Sequence, residues 1–301
     1  MIGIRPFDPS TGSGSPRVAS RGDSLLPQLA QGAPFRRRAR GFRLRQTACR
    51  PASAGQAGLG ARLSSCLAAA FVFALALSVS TTFAAEPQAV TFAARDGAQI
   101  SGVLHLPART PAPAVVLLNM LGRTHRDWDG AAARFVEAGI AVLAVDFRPM
   151  GLADPDAPGG GSSPFAALVL DAEAARAFLA TRPEINPARI GMAGASLGAN
   201  VAVLAAANDQ MVRSLALLSV SLDYRGLKLE AALRQFASRP ALLVASSEDP
   251  FALRSARQAV TMGDGPRELR VLAGAGHGSV MLDREPDLAT ALVDWFIRTL
   301  L

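Results

Sequence analysis

Three residue types with the power to activate a hydroxyl recur at telling places in this chain: Ser196, Asp249 and His277. Ser196 sits in Gly194-Ala195-Ser196-Leu197-Gly198, directly after the apolar run Ile190–Ala193 and before the small-residue, helix-like run Ala199–Ala207. A serine between two glycines at a strand-to-helix turn is the nucleophile-elbow pattern. The turn is strained, and its flanking positions must be small so that strand and helix can approach. The free N–H groups of the following helix then point towards a developing oxyanion.

A serine hydroxyl is a weak nucleophile at neutral pH and needs a base. His277 lies in Gly274-Ala275-Gly276-His277-Gly278, just after an apolar run ending at Leu272. It is placed to take the proton and later return it to the leaving group. Asp249, in Ser246-Ser247-Glu248-Asp249-Pro250, follows the run ending at Ala245 and would hold the imidazole tautomer. Glu248 beside it, and Asp223 after the run ending at Val220, are the competing acids. The order Ser, Asp, His suits an α/β sheet with the nucleophile on its central turn.

The other histidines are weaker candidates. His105 reads as an ordinary strand residue, and His125 as either a residue of the site mouth or a solvated loop residue. Asp146 reads as structural, paired with Arg148. Gly159-Gly160-Gly161, in the Pro/Asp-rich stretch Arg148–Pro164, is either a substrate border or a flexible connector. No Walker loop, dinucleotide fingerprint, HExxH or metal cluster is present in the sequence, so no cofactor or metal is expected.

Positioning these residues requires alternating strands and helices. Ala89–Ala94 and Gln99–Leu106 flank Arg95-Asp96-Gly97, an Asp-Gly hairpin signal. Ala114–Leu118, Ile140–Val145, Ile190–Ala193, Leu215–Val220, Ala241–Ala245 and Leu269–Leu272 are short apolar runs, as strands covered on both faces should be. Helical spacing marks Asp127–Ala138, Phe165–Thr181 and the C-terminal Leu288, Leu292, Trp295 and Phe296. This pattern predicts an α/β domain over residues 86–301. Its mostly parallel sheet of about eight strands, the first hairpin antiparallel, has helices on both faces. Ligands should gather beyond the carboxyl ends of the strands. Only some twenty residues separate Val220 from Ala241, too few for a large cap domain.

At this point the chain resembles the α/β-hydrolase superfamily, and within it the small dienelactone-hydrolase-like serine esterases, from about Asp96 to Leu301. Asn186-Pro187-Ala188-Arg189-Ile190-Gly191 leading into the elbow is also typical of that group. The resemblance implies an oxyanion hole made by the backbone N–H groups of Leu121 and Leu197. Two departures stand out. Asn119-Met120 replaces the usual His-Gly, and serine stands where dienelactone hydrolases proper carry cysteine. The expected activity is hydrolysis of a small-molecule carboxylic ester. Acyl transfer on the same triad, and a non-catalytic binding protein with a non-working oxyanion loop, are the alternatives.

Charge is unevenly distributed. Residues 1–85 hold 11 of the 31 basic residues and 2 of the 24 acidic ones, leaving 20 basic and 22 acidic for the remainder. Nucleic-acid binding by the domain is therefore not expected, whatever the net charge of +7 suggests. Both cysteines, Cys49 and Cys66, lie in the same N-terminal part, so the domain can build neither a disulfide nor a thiolate site.

Residues 1–60, rich in Gly, Pro and Arg, read as a disordered leader. Residues 61–85 read as a signal peptide: Arg62, the apolar run Cys66–Val79, then Thr82-Phe83-Ala84-Ala85 with cleavage after Ala84 or Ala85. An uncleaved anchor is the alternative, although the run is short against the ~20 apolar residues a spanning helix needs. The expected location is periplasmic or secreted, with no stable membrane partner after cleavage; the oligomeric state is open. So long a stretch before a signal peptide has two explanations. One is a long arginine-rich n-region; the other, preferred here, is a true start downstream of Met1.

Overall fold

A computed structural model describes residues 85–149 and 165–301; the leader, the signal segment up to Ala84 and Gly159–Gly161 lie outside the described residues. Eight strands form one sheet: β1 (Gln88–Ala93), β2 (Gln99–His105), β3 (Ala112–Leu118), β4 (Ala141–Asp146), β5 (Ile185–Ala195), β6 (Val212–Leu218), β9 (Ala241–Ser246) and β10 (Arg267–Leu272). β7 (Asp223–Tyr224) and β8 (Leu227–Lys228) form a separate ribbon. The sheet order is β1-β2-β4-β3-β5-β6-β9-β10. β1 and β2 pair antiparallel through the Asp-Gly turn, β2 is antiparallel to β4, and every later pairing is parallel.

Helices cover both faces, as the continuous apolar strands require. They are α1 (Asp129–Glu137), α2 (Ala167–Thr181), α3 (Leu197–Asn208), α4 (Glu230–Gln235), α5 (Pro250–Ala259), α6 (Val280–Arg284) and α7 (Pro286–Leu300). Alternation along β3 divides the core in two. Val115 and Leu117 pack with Phe135 and Phe296, whereas Val116 and Leu118 pack with Leu168, Leu179 and Val201. Each buried Leu or Phe contributes about 1.5–3 kcal/mol through area removed from water.

Strand boundaries run beyond several of the apolar cores. β5 starts at Ile185 and β6 at Val212, because pairing resumes between Ala112 and Ile185 and between Ile190 and Val212, beyond irregularities in the ladders. The expected helix Asp127–Ala138 divides into a 3-10 turn, His125–Trp128, and α1. The segment between β6 and β9 holds the β7–β8 ribbon and α4, with no room for a cap. The reversal of strand order beside β3 leaves a crevice beyond the carboxyl ends of β3 and β5.

Candidate active site

Four loops meet at that rim: those after β3, β5, β9 and β10. Ser196 is the hinge between β5 and α3, with φ 52° and ψ −114°, a left-handed conformation unusual for a residue bearing a Cβ. Its N–H donates to the Leu218 carbonyl at 2.8 Å, which ties the hinge to β6. The flanking glycines are dictated by space. A Cβ on Gly194 would collide with the Gly198 carbonyl, and one on Gly198 with the backbone of Leu118 and Asn119.

The structure brings together the three side chains separated in sequence. The Ser196 hydroxyl lies 2.8 Å from His277 Nε2, and His277 Nδ1 lies 2.5 Å from Asp249 Oδ2. With Nδ1–H donating to the carboxylate, Nε2 is free to accept the serine proton. The other carboxylate oxygen, Oδ1, accepts the Ala252 N–H at 3.0 Å and caps α5, with Pro250 in the first helical turn. Asp249 is thus oriented by a helix start as well as by the imidazole. The competing acids are elsewhere: Glu248 faces Arg284 at 3.6 Å, and Asp223 Oδ1 accepts the Gly226 N–H within the ribbon.

Leu197 is the first residue of α3, and Leu121 lies in the turn Met120–Arg123, closed by the Arg123 N–H donating to the Met120 carbonyl at 3.2 Å. Among the described residues, neither Leu197 N–H nor Leu121 N–H has an intramolecular acceptor. Asn119, 4% exposed, donates through Nδ2 to the Arg123 carbonyl and braces this turn from inside. Its Oδ1 is buried without a partner. Met120 stands beside the histidine loop: a Cβ on Gly278 would lie 2.9 Å from its sulfur and 3.5 Å from Ser196 Cβ. The Met120 side chain therefore lies near Ser196.

Some sequence expectations need correction. Asp146 does not pair with Arg148. It accepts the His125 N–H and faces His125 Nδ1, each at 2.7 Å, which makes His125 a half-buried partner of β4 and not a solvated residue. Arg148 instead bridges Asp171 and Asp96. Its hydrogen bonds donated to Asp96, then to Asp171, raise its guanidinium pKa above the usual range, so its charge is permanent. His105 is a strand residue, as expected; burial lowers its imidazole pKa, and its Nε2 has no partner. Sequence reasoning missed the bridge from Arg123 through Asp127 to Ser279, which joins the loop after β3 to the residues after His277. The Arg123/Asp127 spacing of four was its one visible signal. Among the described residues no group of three or more His, Cys, Asp or Glu side chains is placed to hold a metal ion.

The sequence profile of the dienelactone hydrolase family matches residues 100–295, more than half of the chain. Among solved structures, the chain is similar to the dienelactone hydrolase of Anabaena variabilis ATCC 29413, with 19% identity, 72% of this chain and 99% of that one covered, and a TM-score of 0.60. It is similar to the esterase domain of a Rhodothermus marinus protein at 18% identity, covering 72% and 100%, with a TM-score of 0.57. A Pyrococcus furiosus esterase matches at 17% identity, covering 72% and 92%, again with a TM-score of 0.57. These likenesses carry the α/β-hydrolase fold. No curated protein matches the sequence.

Proposed function

This chain belongs to the dienelactone hydrolase family, and from that premise we propose that it is a serine hydrolase of small carboxylic esters. The observation that carries the reading is the continuous hydrogen-bonded line from Ser196 through His277 to Asp249. In this mechanism the Ser196 oxygen attacks the acyl carbon while His277 Nε2 takes its proton. The carbonyl oxygen becomes an oxyanion held by the N–H groups of Leu121 and Leu197. The imidazolium, stabilised by Asp249, returns the proton to the departing alkoxide. Water then attacks the acyl-enzyme, His277 takes its proton, and on collapse the imidazolium returns it to the departing Ser196 oxygen as the carboxylic acid leaves.

The absence of a cap between β6 and β9 favours small or flexible esters. The experiment is labelling with a fluorophosphonate, followed by a screen of p-nitrophenyl esters of increasing acyl length with Ser196→Ala as control. Labelling confined to Ser196 and hydrolysis lost in the variant are expected. Folded protein that neither labels nor hydrolyses any ester in the series ends the reading. Acyl transfer is read in the same assay by adding an alcohol and following ester formation.

We further propose that the domain acts after export, in the periplasm or outside the cell, on the strength of the segment 61–85. Intact-mass analysis of the protein from the culture or periplasmic fraction should give a chain beginning at Ala85 or Glu86. A cytoplasmic chain retaining residues 61–85 contradicts this.

A further inference from the structure

The loop that carries His277 has few means of holding itself in place. Gly274, Gly276 and Gly278 take φ values of +71°, +81° and +61°, and three such residues lose much backbone freedom on ordering. The N–H groups that secure this loop are bonded to serine hydroxyls reaching in from two neighbouring strand ends. Ala275 N–H donates to Ser246 Oγ at 2.9 Å, and Gly278 N–H donates to Ser219 Oγ at 2.9 Å. Gly274 N–H makes a longer bond, 3.4 Å, to Ser247 Oγ. The two short bonds bracket His277, one on each side.

Both gripping serines are buried. Ser246 closes β9 with no exposure, and its hydroxyl oxygen also accepts the Glu248 N–H at 3.2 Å. One oxygen therefore joins the histidine loop to the turn that presents Asp249. Ser219, 2% exposed, follows β6 and takes φ 54°, a positive value like the 52° of Ser196 one strand away. Its N–H donates to the Val244 carbonyl at 2.8 Å, just as the Ser196 N–H donates to Leu218. The rim thus carries a second serine with a positive φ and the same N–H bond to the neighbouring strand. Strained backbone persists only where its surroundings hold it. Here it aims a hydroxyl at the loop of the imidazole.

Resting on the function proposed above, we propose that Ser219 and Ser246 are positioning residues: buried hydroxyls that place the His277 imidazole between Ser196 and Asp249 by gripping its loop from both sides. They touch neither substrate nor reacting atoms. Their effect falls on kcat, because a displaced imidazole loses alignment for proton transfer while the surface that binds ester is unchanged.

The test measures kcat and KM on p-nitrophenyl acetate, melting temperature, and the low-field proton resonance of His277 Nδ1–H, for the wild-type protein, Ser219→Gly and Ser246→Ala. Ser219→Gly is the sharper variant, since glycine relieves the left-handed strain while deleting the hydroxyl. The expected result is a kcat lowered about tenfold or more with KM within about twofold, a melting temperature unchanged or raised, and a shifted or broadened Nδ1–H resonance. Should Ser246→Ala fail to fold because the buried Ala275 N–H loses its acceptor, Ser219→Gly still decides. Folded Ser219→Gly with wild-type kcat and an unmoved resonance overturns the clamp, while fluorophosphonate labelling of Ser196 would leave the hydrolase reading standing. If the wild-type protein neither labels nor hydrolyses, that reading fails by itself, and the resonance in Ser219→Gly alone judges the clamp.

Discussion

The proposed nucleophile and its proposed base are held by different physics. At the end of β5, Ser196 is part of the core: α3 behind it is buried along most of its length, Gly194 and Gly198 leave no space for a Cβ, and the hinge is bonded backbone to backbone with β6. At the end of β10, the His277 side chain is 46% exposed, on a glycine-rich loop whose anchoring bonds run to side chains of other strands. Packing fixes the serine, and tethers fix the histidine. On the proposed mechanism, packing keeps the serine at a constant place in the rim while the tethers hold the imidazole in line with it.

The strongest way to break this comparison is to remove the fixed partner. Ser196→Ala should lower kcat on an ester substrate by about a millionfold and leave the melting temperature nearly unchanged, because a methyl keeps the packing. His277→Ala should cost about as much. The double variant should cost little more than either, since the two act as one unit. Steady-state kinetics on the three proteins check this. Losses that multiply in the double variant contradict a shared proton-transfer step.

Next in size is Asp249, where both kinds of restraint meet. Asp249→Asn keeps an oxygen able to cap α5 but cannot favour the correct imidazole tautomer, so kcat should drop about 10⁴-fold with stability preserved. Asp249→Ala should lose the same activity and in addition about 1 kcal/mol of stability from the missing cap. Denaturant unfolding of the pair separates the two contributions. Equal stability of the two variants removes the capping role.

How much of this was legible in the sequence follows the same division. The elbow announces itself because its constraints are local: small residues two positions either side of a serine, after an apolar run. The strands β3, β4 and β9 were also plain, since burial on both faces forces unbroken apolar runs. Asp249 could be picked over Glu248 by its neighbour Pro250, which marks a helix start, although α5 itself was not anticipated. The tethers were invisible. Ser219 falls inside the expected strand Leu215–Val220, Ser246 and Ser279 are ordinary loop serines in sequence, and their partners lie 59, 29 and 152 residues away. Asp146 was matched with Arg148 because they are close along the chain. In space β4 ends at Asp146 and Arg148 lies beyond it, so the two have different neighbours: His125 for one, Asp96 and Asp171 for the other.

A smaller effect should follow from the oxyanion-side turn, which belongs to the tethered class despite adjoining the core. Asn119→Ala removes the donor that braces the Arg123 carbonyl, so the Leu121 N–H loses alignment while remaining present. The expected cost is about 10- to 100-fold in kcat, below the loss for deleting an oxyanion donor outright. Asn119→Asp, which places an acceptor against that carbonyl, should be worse than alanine. Rates in the order wild type, alanine, aspartate support the brace. Equal rates for wild type and alanine place the turn under other control.

The smallest effect tests whether a third kind of restraint, a charged bridge away from the triad, acts on stability alone. The Arg148 hydrogen bond holds the Asp96 carboxyl below its ordinary range. A carboxylate with a lowered folded-state pKa contributes stability that is present above its unfolded value and lost as the pH falls through the folded one. Arg148 keeps its charge throughout, so the proton uptake of Asp96 governs the change. Wild-type melting temperature should therefore decline on acidification below about pH 4 more steeply than that of Asp96→Asn, and the two curves should converge at the acid end. At neutral pH the variant should melt slightly lower, by an amount that shrinks with added salt because the bridge is solvent-screened. Its kcat should equal that of the wild type, since Asp96 touches no tether of His277 and no part of the elbow. A changed kcat in Asp96→Asn would join the Arg148 bridge to the positioning of the catalytic groups and remove the separation between packed nucleophile and tethered base.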